Sequence, residues 1–222
     1  MKNITEVVFI LDRSGSMGGL EADTIGGYNS MLAKQKEEEG EVIISTVLFD
    51  DRTEVIHNRL PLNAVKPITD KEYYVRGCTA LLDAVGGAIH HIGKLHKEMP
   101  EEERPDKTLF FITTDGFENS SRFYSYDKVK KMIEKKKKKN HWEFVFIGAN
   151  IDAVHEAGKI GISENRAVRY ECDSKGTNLH FATMSKMVSC ARKSVSACDM
   201  DECFDGEDFL GTIREDYAKR HR

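Results

Sequence analysis

The fold of this chain is decided by residues 7–16, VVFILDRSGS, where an apolar run gives way to a polar turn. Five consecutive apolar residues that end at a glycine-containing polar stretch are typical of a buried strand followed by a loop. The loop offers one carboxylate, Asp12, and two hydroxyls, Ser14 and Ser16, at alternating positions. Such oxygen groups are the ligands that Mg²⁺, Mn²⁺ and Ca²⁺ prefer. The sequence therefore predicts a buried strand that carries a candidate cation-binding loop.

The composition is that of a soluble globular protein. The chain has 222 residues, of which 40% are hydrophobic and 32% are charged, and this is enough for one large α/β domain. The formal net charge of −4 provides no overall attraction for nucleic acid or anionic lipid. No apolar run approaches the ~20 residues that span a bilayer. We therefore expect neither nucleic acid nor a membrane as a partner.

The N-terminus and the cysteines predict a cytoplasmic protein. Residues 1–3 lead directly into the predicted first strand, so cleavage of a signal peptide would remove that strand. The cysteines are odd in number and show no paired spacing: Cys78, Cys172, Cys190, Cys198 and Cys203. Without a signal peptide, we expect these cysteines to be reduced thiols.

Predicted strands and helices alternate along the chain. Apolar and β-branched runs predict strands at residues 6–11, 42–49, 53–57, 109–112, 142–147 and 168–170. Apolar residues at helical spacing predict helices at about residues 19–38, 79–95, 126–139, 152–159 and 177–196. A short polar turn at residues 50–52 predicts that the second and third strands form a hairpin. This alternation predicts an α/β fold with a mostly parallel sheet and helices on both faces.

The C-terminal residues differ from the rest in composition. We divide the chain into a domain at residues 1–196 and a tail at residues 197–222, which begins with an acidic junction. Beyond the junction, apolar residues repeat at helical spacing and predict a short amphipathic helix: Phe209, Leu210, Ile213 and Tyr217. We expect this helix to pack on the same domain rather than to bind a partner, because apolar helix faces are generally buried.

Three polar segments lie where predicted strands end or a helix begins. They are residues 12–16 (DRSGS), 77–79 (GCT) and 113–116 (TTDG). In an open α/β sheet, ligands bind at the carboxyl ends of the strands, where the first and third segments lie. If the three segments converge, their carboxylates and hydroxyls would form a cation site made only of oxygens. The side chains concerned are those of Asp12, Ser14, Ser16, Thr79 and Asp115.

These motifs resemble those of the von Willebrand factor A domain. The matching features are Asp-x-Ser-x-Ser after the first strand, a lone threonine before a helix, and Thr-Asp-Gly after a later strand. The resemblance covers about residues 4–196 and points to a stand-alone, intracellular, bacterial-type member. It implies a doubly wound, six-stranded sheet in which only the strand at residues 53–57, at one edge, is antiparallel.

The resemblance also implies a metal-ion-dependent adhesion site, which binds a partner and catalyses no reaction. Ser14, Ser16 and Thr79 would bind the ion directly, whereas Asp12 and Asp115 would act largely through water. The ion, Mg²⁺ or else Mn²⁺ or Ca²⁺, would keep an open position for an aspartate or glutamate of a protein partner. Many intracellular members of the family act as adaptors or scaffolds, often with an AAA-type ATPase complex, and we expect the same here. The sequence departs from the commoner Gly-Thr pair in having Cys78 before Thr79.

Other interpretations of the Asp12 loop are weaker. By itself the loop is equally typical of an Asx-turn that caps the following helix. A metal-dependent phosphohydrolase that uses Asp12 is the alternative function. The haloacid-dehalogenase type needs a second acid two residues later, where this chain has Ser14. The glycines match neither the Walker nor the dinucleotide-binding spacing, and Ser16 lies in no Gly-x-Ser-x-Gly motif. We therefore predict that the protein is not an enzyme.

A run of five lysines at residues 135–139 raises the question of phosphate or nucleic-acid binding. The run falls at the C-terminal end of a predicted helix, where the helix dipole favours cations. We therefore interpret it as a solvated helix end.

Overall fold

The structure is a computed structural model that describes residues 3–221. The described residues do not include residues 1–2, at the start of the predicted domain 1–196, or residue 222, at the end of the predicted tail 197–222. The strands are β1 (Ile4–Asp12), β2 (Glu41–Phe49), β3 (Thr53–Pro61), β4 (Lys107–Thr114), β5 (Glu143–Gly148) and β6 (Ala167–Arg169). The helices are α1 (Glu21–Lys36), α2 (Leu81–Glu98), α3 (Tyr126–Asn140), α4 (Ala153–Lys159), α5 (Ser174–Lys193), α6 (Ala197–Gly206) and α7 (Gly211–Arg220).

The strands form one six-stranded sheet in the order β3-β2-β1-β4-β5-β6. The edge strand β3 runs antiparallel to β2, and the other neighbouring pairs are parallel. This arrangement confirms the predicted doubly wound fold and the predicted hairpin. The strand order reverses between β1 and β4, and in such sheets a crevice opens at the carboxyl ends of the two strands at this point.

Strand β1 is buried along its whole length because helices cover both faces of the sheet. Val7, Phe9 and Leu11 face a core layer shared with α1, α5, α6 and α7. Val8 and Ile10 face a second layer shared with α2, α3 and α4. Each fully buried side chain of this size contributes ~1.5–3 kcal/mol relative to an exposed one. The continuous apolar run in the sequence is therefore the central strand of a two-layered core.

The tail contributes to the first core layer. Residues 197–206, where the composition predicts an acidic junction, form helix α6 and bury Met200 and Phe204. The amphipathic pattern that follows corresponds to α7, in which Ile213 is buried. Among residues 3–221, no helix has the length and apolarity needed to cross a bilayer.

A disulfide joins Cys190 of α5 to Cys203 of α6, with their Cα atoms 6.8 Å apart. The expectation that all the cysteines are reduced thiols is wrong for this pair. Its partners are 13 residues apart in the sequence, a spacing that carries no motif. They meet because α5 and α6 pack against each other. Cys78, Cys172 and Cys198 have free thiols.

Two adjacent glycines of α2 provide a matched test of how closely this helix packs against Tyr124. A Cβ atom at Gly86 would lie 2.3 Å from the ring of Tyr124, whereas one at Gly87 would have no atom within 4 Å. We expect Gly86→Ala to lower the free energy of unfolding by roughly 1–3 kcal/mol through overpacking. Gly87→Ala should raise it by up to about 1 kcal/mol, because alanine has the higher helix propensity. Urea denaturation measures both changes, and equal stability of the two variants would contradict the close approach of α2 to Tyr124.

Candidate metal centre

The candidate ligands lie at the carboxyl edge of the sheet, beside the point where the strand order reverses. Asp12 is the last residue of β1, and Asp115 directly follows β4. These two strands are parallel neighbours with Leu11 opposite Thr113, so both acids leave the sheet at the same edge. Thr79 lies two residues before α2, in the loop that reaches this edge.

Asp12 is 1% exposed, and both of its carboxylate oxygens accept hydrogen bonds. The backbone N–H of Ser14 donates to Oδ1 at 2.7 Å, and the hydroxyl of Thr114 donates to Oδ2 at 2.6 Å. The first bond closes the Asx-turn that the sequence suggests, and the second joins the loop to the end of β4. Asp12 is therefore held in place by both segments that form the crevice.

Ser16 connects the Asp12 loop to Asp115. Its Oγ lies 3.1 Å from Oγ of Ser14 and donates to Oδ1 of Asp115 at 2.5 Å. The other oxygen of Asp115, Oδ2, is buried and has no hydrogen-bond partner among the described residues. A buried acceptor without a partner costs free energy, so this atom calls for a ligand outside the chain.

Thr79 completes the group of oxygens. A Cβ atom placed on Gly116 would lie 3.4 Å from Oγ1 of Thr79 and 3.3 Å from Oγ of Ser16, so both hydroxyls flank one point beside Gly116. The backbone of Thr79 is fixed by Asn119, whose Oδ1 accepts from Thr79 N at 2.9 Å and whose N donates to Thr79 O at 3.1 Å. The N-cap of α2 is Ala80, without a side-chain cap, so the Thr79 hydroxyl does not cap this helix.

The two acids are poorly solvated, and neither forms a salt bridge with a cation among residues 3–221. Burial raises the pKa of Asp12 to about 6 from its ordinary 3.8, although hydrogen bonds from Thr114 and Ser14 lower it, and the charge of Asp115 raises it further. Burial also raises the pKa of Asp115, against a hydrogen bond from Ser16. Both shifts show that the crevice disfavours negative charge that no cation neutralises.

The oxygens present fit a hard divalent cation. Two carboxylates and three hydroxyls come from the three segments, and Asp115 contributes an oxygen without a partner. Within residues 3–221 there is no group of three or more histidine, cysteine, aspartate or glutamate side chains that could hold a metal. Any cation at this edge therefore depends on the serine and threonine hydroxyls. This donor set suits Mg²⁺, Mn²⁺ or Ca²⁺ better than a soft metal.

A buried ion-pair network that the sequence did not reveal supports the loop. Arg13 has a fully buried side chain that points away from Asp12. Its guanidinium contacts Asp50 (Nε to Oδ2, 2.9 Å), Glu54 (Nη2 to Oε2, 2.7 Å) and the carbonyl oxygen of Glu72 (Nη1, 3.2 Å). A charged pair of this kind has no spacing rule, so only the folded chain could reveal it.

Backbone hydrogen bonds connect the same network to the threonine loop. Arg76 N donates to the carbonyl of Arg13 at 2.9 Å, and Gly15 N donates to the carbonyl of Gly77 at 3.2 Å. Gly77 has φ +67°, and an added Cβ would lie 2.6 Å from Oδ1 of Asp51, so a side chain is disfavoured there. Two backbone hydrogen bonds therefore join the Asp12 loop to the Thr79 loop.

Two further acids near the site stabilise the protein's own backbone. Glu118 accepts from Leu82 N at 2.9 Å and so caps α2 from the neighbouring loop. Asp83 accepts from the backbone N–H groups of Arg122, Phe123 and Tyr124. These contacts tie the loop after Asp115 to the start of α2.

The fold of this chain is similar to that of several solved structures. The chain is similar to a von Willebrand factor type A protein from Catenulispora acidiphila, with a TM-score of 0.58 and 15% identity over 86% of this chain and 43% of that one. Proximal thread matrix protein 1 from the mussel byssus, in a structure with a zinc-occupied MIDAS motif, has a TM-score of 0.57 and 16% identity over 84% and 46%.

The D319A mutant of the PilB minor pilin from Streptococcus sanguinis has a TM-score of 0.57 and 13% identity over 93% of this chain and 64% of that one. The chain thus spans about half of the mussel and Catenulispora structures and under two thirds of the pilin. No protein-family model and no curated protein sequence matches it. At these identities the likeness shows a shared fold.

Asp12 makes the metal-free protein sensitive to pH. Because its pKa is about 6 in the folded state and 3.8 ordinarily, the folded state binds the proton more tightly than the unfolded chain does. The stability that protonated Asp12 contributes is full below about pH 4 and is lost as the pH rises to about 6. In EDTA at neutral pH, we therefore expect Asp12→Asn to raise the free energy of unfolding by up to about 3 kcal/mol.

Urea denaturation of both proteins across this pH range measures the effect. The difference between wild type and Asp12→Asn should vanish below about pH 4, where the wild-type carboxyl is protonated. A variant that is less stable than wild type at every pH would show that the hydrogen bonds of Asp12 outweigh its burial.

Proposed function

We propose that this chain, whose fold is that of a von Willebrand factor A domain, is a binding protein that captures a carboxylate of a protein partner through a divalent cation. The observation that carries the proposal is the buried, unpartnered Oδ2 of Asp115 beside the hydroxyls of Ser16 and Thr79. These atoms come from three distant segments and meet at the edge where ligands bind in such sheets.

The five residues would hold the cation in two ways. Ser14, Ser16 and Thr79 would contribute neutral hydroxyl oxygens. Asp12 and Asp115 would balance the charge largely through water, which agrees with both oxygens of Asp12 already accepting hydrogen bonds. The bound cation would supply an open coordination position to which an incoming aspartate or glutamate adds. Mg²⁺ is the ion we propose, with Mn²⁺ or Ca²⁺ as alternatives, because every donor is an oxygen.

The surface around the candidate centre suits contact with a protein. Ser16 at its rim is exposed, and Phe117, two residues after Asp115, is 57% exposed. Phe123, in the same loop, is 77% exposed. Exposed aromatic side chains supply contact area and are enriched at protein interfaces. We propose an adaptor or scaffold role, with an AAA-type ATPase complex among the candidate partners.

We keep a cytoplasmic location as a proposal, although one observation opposes it. The Cys190–Cys203 disulfide argues against a reducing compartment, where such bonds are rare.

The alternative, a metal-dependent phosphohydrolase, is less well supported by the geometry. A nucleophilic aspartate needs an exposed oxygen, but Asp12 is 1% exposed and both its oxygens accept hydrogen bonds. Ser14 stands where the second acid would be needed and cannot act as a general acid near neutral pH. We therefore propose that the protein binds its partner without catalysing a reaction.

Isothermal titration with Mg²⁺ tests the metal site. Wild type should give a saturable heat, and Thr79→Ala should weaken binding by about tenfold or more, since one of three direct ligands is lost. Ser120→Ala is the matched control, because Ser120 lies in the loop after Asp115 and is not one of the proposed ligands. The proposal fails if wild type binds none of Mg²⁺, Mn²⁺ and Ca²⁺, or if Thr79→Ala binds the cation as wild type does.

Affinity capture from a cell extract tests the adhesive role. The same partner should be retained by wild type and by Ser120→Ala in Mg²⁺. It should be lost in EDTA and with Thr79→Ala, because the cation is the link to the partner's carboxylate. A partner retained equally under all four conditions would show that the cation has only a structural role.

A further inference from the structure

A cavity of about 740 Å³ lies at the opposite edge of the sheet from the candidate metal centre. It is bounded by the C-terminal halves of α2 and α3 and by Thr108 and Trp142, which lie at the amino ends of β4 and β5. Cavities of roughly 300–1,000 Å³ are the size that small organic ligands occupy. Nothing in the proposed adhesion site uses it.

The inner wall of this cavity is apolar. It is formed by Ile89 of α2, Met132 of α3 and the indole of Trp142. Gly93 keeps the wall open, because a Cβ atom there would lie 2.6 Å from Nζ of Lys136 and 3.8 Å from Trp142. The missing side chain lets Lys136 extend over the indole, with Nζ 4.0 Å from the ring centroid. The wall thus combines an apolar surface with one cation.

The rim is strongly basic in a protein of net charge −4. It carries Lys94, Lys97, Arg104, Lys135 and Lys136, and its acidic residue is Asp106, whose Oδ2 accepts a hydrogen bond from the backbone N–H of Ile4 at 2.8 Å.

Few of the lysines at the rim form salt bridges within the described residues. Lys94 has an exposed contact with Glu98 at 3.8 Å, and such surface pairs are worth little. No described carboxylate forms a salt bridge with Lys97, Lys135 or Lys136. These three lysines are therefore available to an anionic ligand, whereas Arg104 already donates from Nε and Nη2 to the carbonyl oxygen of Met99.

The charged form of Lys136 is disfavoured at its position in the wall of the cavity. Burial lowers its pKa, and the neighbouring charge of Lys135 lowers it further. An anion placed between the two lysines would offset both effects, because it favours the charged forms of the two ammonium groups. The remaining lysines of the run, Lys137, Lys138 and Lys139, do not line the cavity. Lys135 and Lys136 are therefore the two lysines of the run that line the cavity.

We propose that this cavity binds a small organic anion of about nucleoside monophosphate size, with a phosphate-like group on an apolar ring. The phosphate-like group contacts Lys135, Lys136 and Arg104 at the rim. The ring lies against the apolar wall mainly at Met132, because Ile89 and Trp142 are only 1% and 2% exposed. A nucleic-acid strand is not favoured, since only two lysines of the run face the cavity, which lies between two helices.

Intrinsic fluorescence can follow binding in this cavity, because Trp142 lines it and is the single tryptophan of the chain. We would titrate the intact protein with AMP, inorganic phosphate and adenosine while following Trp142 fluorescence. A parallel titration would follow displacement of the fluorescent aromatic sulfonate anilinonaphthalene sulfonate by AMP. AMP should give a saturable change and displace the dye. Adenosine and inorganic phosphate should each bind at least about tenfold more weakly than AMP, since adenosine lacks the phosphate group and inorganic phosphate lacks the ring.

Three variants separate binding in the cavity from general attraction to lysines. Lys136→Met keeps the aliphatic stem and should weaken AMP binding about tenfold or more. Gly93→Ala keeps every charge but fills the wall, so it should weaken binding similarly. Lys139→Met removes an exposed lysine of the same run and should leave affinity unchanged. Circular dichroism and thermal melting would establish that each variant is folded.

Two results overturn the proposal. One is the absence of a saturable response to both AMP and the aromatic sulfonate. The other is equal weakening by Lys136→Met and Lys139→Met while Gly93→Ala binds as wild type does, which would mean that AMP associates with the lysine run and not with the cavity.

Discussion

The parallel pairing of β1 with β4 is the constraint on which the rest of this structure depends. It places Leu11 opposite Thr113, so that Asp12 and Asp115 emerge at one edge of the sheet. The strand order reverses between the same two strands, which leaves room for a ligand beside them. Since β1 is buried on both faces, a shift of this pairing by one residue would turn the side chains of each core layer to the opposite layer.

Arg13 does not neutralise the two acids of the crevice, because its guanidinium is engaged elsewhere. This guanidinium lies next to the Asp12 loop, yet its hydrogen bonds go to Asp50, Glu54 and the backbone of Glu72. Its charge therefore holds the loop in place without neutralising Asp12 or Asp115. The two acids are left buried with raised pKa values, a condition that a divalent cation relieves.

The two edges of the sheet have opposite chemistry. The carboxyl edge carries buried acids and hydroxyls, and the amino edge carries lysines around an apolar wall that includes Trp142. The net charge of −4 gives no sign of this separation, because it sums the charges of the whole chain. The basic cavity between α2 and α3 is formed where a glycine, Gly93, allows a lysine to approach the indole.

The sequence by itself determined the order of the strands and of every helix except α6, the β2–β3 hairpin and the five oxygen-bearing residues of the candidate centre. These depend on local periodicity, turn residues and short motifs, which can be read along the chain. Only the tertiary structure decided that Asp115 Oδ2 lacks a partner, that Arg13 turns toward Asp50, and that α6 brings Cys203 to Cys190. Each of these depends on contacts between residues distant in sequence, which packing decides and periodicity does not record.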